Sequence, residues 1–233
     1  MTRLVWDAVG ERFYESGVDR GVLYLGTNGY AWPGLVTVTE SPTGGDPRPF
    51  YIDGFKYLNL AASEEFEASI EAFSAPPEFG LCDGINSMYA GLQITQQPRR
   101  SFGFCYRTKV GNDVDGLDHA YKIHLVYNAL AAPSEKAYST VNDQAEAPTR
   151  SWKLTTLAPK IYGYRPTAHF VIDTRTTPAE TLAAIEDILY GTDTESPRQP
   201  TVTELMTLFG APVYDGGEIT VPESDTIMDG GLP

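Results

Sequence analysis

Apolar and polar residues alternate along much of the chain up to Ile172. Successive side chains of a strand point to opposite faces, so this alternation predicts half-buried β-strands. The clearest runs are residues 101–108 and 121–127, joined by a Gly/Asn/Asp-rich connection at 111–116. The first run places Phe102, Phe104 and Tyr106 on one of its faces, and the second run places Tyr121, Ile123, Leu125 and Tyr127 on one of its own. We predict that the two runs form an antiparallel hairpin in the middle of a sheet.

Further strands are predicted on both sides of this hairpin, at residues 21–25, 35–40, 50–60, 65–73, 92–95, 150–157 and 165–172. Residues 65–73 alternate strictly, which predicts an acidic outer face and an apolar inner face. Phe66, Ala68, Ile70 and Ala72 are expected to point inward, and Glu65, Glu67, Ser69 and Glu71 outward. Residues 26–34 and 41–49 are rich in turn formers and are predicted to be loops.

The pattern becomes helical after residue 176. Thr177–Glu180 and Thr201–Glu204 both have the spacing of a capping box, and Gly191 and Gly210 follow as stop signals. We therefore expect a mainly β fold, a sandwich or barrel of antiparallel strands, with one flanking α-helix and a short C-terminal helix. Residues 1–210 are expected to form this domain and residues 211–233 an acidic, Gly/Pro-rich extension.

The chain of 233 residues carries a net charge of −14, which argues against tight binding of nucleic acid. An acidic surface can guide DNA without holding it, although solubility is the simpler account of the charge. Cys82 and Cys105 lack the spacing of a metal or redox pair, so we expect reduced, buried thiols of a cytosolic product. The N-terminus lacks a signal-like apolar segment, and the sequence predicts no membrane association.

The sequence contains no recognisable catalytic motif, and we expect no enzymatic activity, no cofactor and no metal. The segment 111–116 is a poor match to a calcium loop, and an Asx-rich turn explains it better. His119, His124 and His169 are not at metal-ligand spacing and are interpreted as structural or surface residues. Glu67 and Glu71 could in principle serve glycoside hydrolysis, but a solvated strand face explains them more simply.

Several segments resemble the major tail proteins of long-tailed phages (siphovirus type) that infect actinobacteria. The most specific is Ala132-Pro-Ser-Glu-Lys-Ala-Tyr138, at the end of the run 121–138. The resemblance also includes residues 10–24, 57–60, 65–73, 102–108 and 188–193, and it extends from about residue 10 to about residue 210.

This resemblance implies a structural protein of the virion tail, assembled in the host cytoplasm. Six copies would form a ring, and stacked rings would form a tube that surrounds the tape measure protein and later conducts DNA in transit. Further partners would be a tail terminator and a distal tail or baseplate protein. Glu67 and Glu71 are expected to face the lumen, the alternatives being an outward position or a salt bridge to the next subunit. The loops with Asn28, Tyr30, Trp32, Asp113 and Asp115 are expected to bridge rings or subunits.

A β-sandwich binding module, or a decoration module of a capsid, is the alternative function. Such a module would stay monomeric, whereas a tube subunit would polymerise, so electron microscopy of the purified protein distinguishes the two.

Overall fold

The computed structural model describes residues 3–138, 140, 148–211, 213–215 and 218–220. Its strands are β1 (Tyr14–Leu25), β2 (Asn28–Trp32), β3 (Leu35–Glu40), β4 (Thr43–Gly44), β5 (Pro47–Ile52), β6 (Phe55–Ala61), β7 (Glu64–Glu65), β8 (Glu67–Ala72), β9 (Asn86–Tyr89), β10 (Leu92–Ile94), β11 (Phe102–Asn112), β12 (Gly116–Ala131), β13 (Arg150–Thr156), β14 (His169–Asp173), β15 (Val213–Asp215) and β16 (Glu218–Thr220). Its helices are a 3₁₀ helix (Pro77–Leu81), α1 (Ala179–Tyr190) and α2 (Val202–Leu208). The mainly antiparallel β fold with a flanking helix is confirmed.

The predicted central hairpin is formed by β11 and β12, which pair antiparallel with Cys105 opposite Leu125. Its two predicted faces lie on opposite sides of the sheet, and both are buried in separate cores. The connection is the predicted Asx turn, since Asn112 Oδ1 accepts hydrogen bonds from the backbone N–H groups of Val114 and Asp115.

The main sheet has the order β2-β1-β11-β12-β13-β8-β3, and β14 also pairs with β12. The sheet curls, so that inward-facing residues from both of its halves pack into one core. That core includes Leu23, Trp32, Ile70, Phe79, Phe102, Phe104, Tyr106, Val126, Trp152 and Leu154. At Gly21, an added Cβ atom would meet the side chain of Leu35 and lie 3.0 Å from the carbonyl oxygen of Trp32, so a larger residue would be crowded where β1 approaches β3.

A second core lies between the outer face of the sheet and the helices. Ile185 and Leu189 of α1 are fully buried there against Ile123, Leu125 and other residues of the sheet. The predicted helices are therefore confirmed, but the capping box at Thr177 is wrong. The N-cap of α1 is Pro178, and Thr177 Oγ1 instead donates to the carbonyl of Asp173. The second capping box, Thr201 with Glu204, is formed at α2.

A β-bulge interrupts β12 near its C-terminal end. Phe104 lies opposite Val126, but Phe102 lies opposite Ala129, so β12 contains one extra residue. Asn128, at the bulge, has a φ of 49°, a left-handed conformation that asparagine tolerates better than most residues. Beyond the bulge, β12 pairs with β13 instead of β14, so the bulge is the corner between the two halves of the sheet.

Both predicted loops contain strands. Residues 28–32 form β2 at one edge of the main sheet, and residues 43–44 and 47–49 belong to β4 and β5. Of the predicted extension 211–233, only Ala211, β15 and β16 are among the described residues, and the two strands pair with each other. No helix in the described part of the chain combines the length and apolarity that crossing a bilayer requires.

Candidate functional site

The most conspicuous surface feature is the hairpin of β5 and β6, residues 47–61, which we call the apolar hairpin. Every residue from 46 to 65 is exposed. A turn at Asp53-Gly54 joins its two strands, with positive φ at both residues (51° and 81°), the conformation that matches the twist of a two-residue hairpin. The apolar hairpin is therefore well defined locally but is not covered by the rest of the described chain.

Seven of its fifteen residues have large apolar side chains. They are Phe50, Tyr51, Ile52, Phe55, Tyr57, Leu58 and Leu60, with Phe55 79% and Tyr57 69% exposed. A two-stranded hairpin is marginally stable alone in water, and a contiguous apolar patch on a protein surface usually marks an interaction site. These properties are typical of a surface that binds a partner.

Two other segments expose apolar side chains. The hairpin of β9 and β10 exposes Met88, Tyr89 and Leu92, and the segment before β1 exposes Trp6 and its neighbours. Exposed apolar surface therefore lies in at least three separate segments, which fits a subunit with several neighbours better than a protein with one ligand cleft.

The two glutamates predicted to face a lumen lie on β8, as expected from the alternation. Ala68, Ile70 and Ala72 are buried, and Glu71 is exposed. Glu67 is mostly covered, and its Oε2 lies 2.7 Å from Lys153 Nζ on the neighbouring β13. Glu67 thus forms an ion pair within its own chain. The lumenal position of both residues remains a prediction.

The predicted bridging residues at 28–32 do not form a loop. Trp32 is 2% exposed, and its Nε1 donates to the carbonyl of Ser74 at 2.8 Å. Tyr30 packs partly against the same core, and Asn28 is exposed beside the β1–β2 turn. The prediction of a loop was wrong because Gly29 and the aromatic residues were interpreted as loop residues instead of an edge strand. A role of Asn28 and Tyr30 in assembly remains a prediction, whereas Trp32 is a core residue.

Asp113 and Asp115 lie at the tip of the β11–β12 hairpin and have partners in their own chain. Asp113 Oδ1 accepts from the backbone N–H of Gly10 at 2.9 Å. Asp115 Oδ2 lies 3.1 Å from His119 Nδ1. The tip therefore holds the segment before β1, and its contact with another subunit remains a prediction.

The segment that is most specific to the tail-protein resemblance has a structural role here. Lys136 donates to Asp83 Oδ2, and Arg99 Nη1 lies 3.2 Å from Asp83 Oδ1. Asp83 is only 8% exposed, and a buried carboxylate requires such partners. Arg99 Nη1 also lies 3.1 Å from the carbonyl of Ala131. The cluster thus fixes the chain after β12 onto the turn that follows the 3₁₀ helix.

Sequence analysis missed one cluster, formed by Glu40, His124 and His169. These residues lie at the end of β3, on β12 and on β14, and are far apart in sequence. Strand alternation placed both histidines in strands, but only the curling of the sheet brings Glu40 to them. No short motif in the sequence signals this arrangement.

The histidine cluster is largely enclosed. The side chains of His124 and His169 are 7% and 13% exposed, and that of Glu40 is 39% exposed. Burial, together with a smaller effect of the neighbouring His169, lowers the pKa of His124 to about 4. Burial also lowers the pKa of His169, so both imidazoles are neutral at pH 7. Neutral imidazoles offer a lone pair to a proton donor or a metal ion.

Two solved structures resemble the fold of this chain. One belongs to the anti-feeding prophage baseplate, with 11% identity and a TM-score of 0.37 over 72% of this chain and 97% of that one. The other belongs to the anti-feeding prophage cap, described as tube-terminating, with 13% identity and a TM-score of 0.33 over 75% of this chain and 97% of that one. At such low identities and TM-scores, the likeness says nothing about function. No protein-family model and no curated protein matches the chain.

Proposed function

We propose that this protein is a structural subunit of a phage tail that self-assembles into stacked hexameric rings, and that the resulting tube conducts genomic DNA. The observation that carries the proposal is the apolar hairpin, residues 47–61, which projects uncovered from an otherwise well-packed β domain. The tail-protein resemblance of the sequence supports the same function independently.

The partner that we propose for the apolar hairpin is a second copy of this chain. Arg48, Asp53 and Lys56 give the hairpin one net positive charge, whereas the whole chain carries −14. The hairpin is thus the kind of element that can approach an acidic copy without the repulsion that two acidic surfaces would experience. A projection that binds a different surface of the next copy makes a head-to-tail contact, and repeated contacts of this kind form a ring when the rotation from copy to copy closes.

The charge of the chain also fits a conduit. A basic wall would bind DNA phosphates and release counterions, whereas an acidic wall leaves DNA free to slide. We propose that Glu71 lies on that wall, because its carboxylate is exposed on a regular strand. The tape measure protein would occupy the tube before DNA passes, and a terminator and a distal tail or baseplate protein would bind its ends.

The test compares a double variant, Phe55→Ser with Tyr57→Ser, with a control double variant, Leu157→Ser with Tyr164→Ser. The control residues are also highly exposed, at 76% and 74%, but lie outside the hairpin. Negative-stain electron microscopy and analytical ultracentrifugation should show rings or tubes for the wild type and the control. The hairpin variant should remain a monomer whose far-ultraviolet circular dichroism spectrum matches that of the wild type, which shows that it is folded. Tubes of normal bore from the hairpin variant, or a monomeric wild type at high concentration, would refute the proposal.

A second experiment addresses the wall of the tube. Phages that carry Glu71→Lys should assemble normal tails but deliver DNA more slowly than phages that carry Glu195→Lys, a control at an exposed position after α1. Equal infection kinetics of the two phages would remove Glu71 from the lumen without affecting the assembly proposal.

A further inference from the structure

We propose that Glu40, His124 and His169 bind one zinc-type divalent cation, with water at the fourth position. This inference does not depend on the tail-tube function. It begins from the three atoms that converge in the cluster: His124 Nδ1, His169 Nε2 and Glu40 Oε1. The two nitrogens are 3.1 Å apart, and Glu40 Oε1 lies 3.4 Å from His124 Nδ1 and 3.9 Å from His169 Nε2.

These spacings are close to those of a tetrahedral zinc site. Zinc binds His nitrogen and carboxylate oxygen at about 2.0–2.2 Å, which places neighbouring ligand atoms about 3.3–3.5 Å apart. Two imidazoles and a carboxylate are also a donor set that selects zinc-like ions over calcium or magnesium, which prefer oxygen ligands alone. Small side-chain adjustments would therefore place the three ligand atoms at three corners of a tetrahedron around the ion.

The hydrogen bonds around His124 already leave the required nitrogen unprotonated. Thr108 Oγ1 donates its only proton to Glu15 Oε1 at 2.6 Å, so it accepts from His124 Nε2–H at 2.9 Å. His124 Nδ1 therefore presents a lone pair to the cluster. Glu15 is held in turn by Lys122 Nζ at 2.6 Å from its Oε2. Ligand histidines in metal sites are typically oriented by such an outer hydrogen bond through their second nitrogen.

The other two ligands are also held in place. Tyr106 donates from its hydroxyl to Glu40 Oε1 at 2.6 Å, and its ring is parallel to that of His124, 8° apart with centroids at 4.5 Å. His169 stacks on Phe66 with centroids at 4.3 Å. Without a metal, His169 Nε2–H donates to His124 Nδ1. With the cation bound, His169 would take its other neutral tautomer, with the proton on Nδ1, so that Nε2 offers its lone pair to the ion. Preorganised ligands lower the cost of binding.

The position in the fold suggests what the ion would do. Glu40 ends β3, whereas His124 and His169 lie on β12 and β14, which are not hydrogen-bonded to β3. A bound ion would therefore connect the edge strand β3 to β12 and β14 on the facing half of the curled sheet. Glu40 is partly exposed, so water reaches the remaining coordination position.

The test uses the full-length chain without a polyhistidine tag, stripped with EDTA and dialysed. Titration with ZnCl₂ by calorimetry, and with CoCl₂ by the visible absorption of tetrahedral Co²⁺, should saturate at one ion per chain. Glu40→Gln and His169→Asn should lose this binding, and Thr108→Val should weaken it about 10–100-fold. His119→Asn is the matched control and should bind as the wild type does.

Thermal melting accompanies each titration. Zinc should raise the melting temperature of the wild type and of His119→Asn, but not that of His169→Asn or Glu40→Gln. Glu40 is partly exposed, so its variant tests the site even if a histidine variant fails to fold. Absence of a one-equivalent saturation in the wild type, wild-type affinity in Glu40→Gln, or a loss of binding in His119→Asn would overturn the proposal.

Discussion

Replacing Trp32 with alanine separates a core role from an assembly role for this residue. Its ring packs against Phe79, Phe104 and Trp152 with centroid separations of 4.6, 5.5 and 5.8 Å. Loss of a buried Trp side chain costs about 3–5 kcal/mol. The carbonyl of Ser74 also loses its indole donor, which adds about 1 kcal/mol. We therefore expect the free energy of unfolding to fall by about 4–6 kcal/mol, a large part of the 5–15 kcal/mol typical of a domain.

Urea unfolding followed by far-ultraviolet circular dichroism measures this change under conditions in which the chain is monomeric. Trp6→Ala is the matched control, because Trp6 is 74% exposed and should change the stability by less than about 0.5 kcal/mol. Trp32→Phe should fall between the two, since it keeps ring packing but removes the N–H donor. If Trp32→Ala lost less than about 1 kcal/mol and yet failed to assemble, the residue would act at an interface and the core assignment would be wrong.

Two further predictions concern charge and thiol chemistry. Hydrogen bonds from Arg107, at 2.6 and 2.7 Å, lower the pKa of Asp19 below its ordinary 3.8. This pair therefore stabilises the fold above pH 3.8, and its contribution is lost as the pH falls further. Asp19→Asn should flatten this part of the acid-unfolding curve, and an unchanged curve would show that the pair adds nothing to stability. Burial raises the pKa of the Cys82 and Cys105 thiols to about 12. A thiol reagent at pH 8 should therefore label both residues only after urea unfolding. Rapid labelling of the folded chain would contradict their burial.

The elements predicted most accurately from the sequence were those with a strong local signal. Strict alternation located β8, β11 and β13, and the 3.6-residue stripe with Gly191 located α1. The error at 26–34 came from the short edge strand β2, in which a turn-rich composition hides the pairing with β1. The Thr177 cap failed because the hydroxyl has an alternative acceptor, the carbonyl of Asp173. Such competition depends on tertiary structure and is not visible in a four-residue motif.

The candidate sites divide in the same way. Residues 50–60 were predicted to be β-structure, but the exposure of the apolar hairpin is a tertiary property, since apolar strands ordinarily indicate a core. The Glu40–His124–His169 cluster depends on how far the sheet curls, and its members are separated by 45 residues or more. Contacts of that kind require the fold itself.

The bulge at Asn128 makes the length of β12 as important as its composition. Upstream of it, Ile123 and Leu125 point to the helix side, whereas Ala129 and Ala131 point into the other core and Leu130 is 41% exposed. A single-residue deletion here would move the side chains of the β12 residues that pair with β13 to the opposite face of the sheet. Insertions and deletions should therefore be tolerated at the exposed hairpin tips but not at this corner, whatever residue is gained or lost.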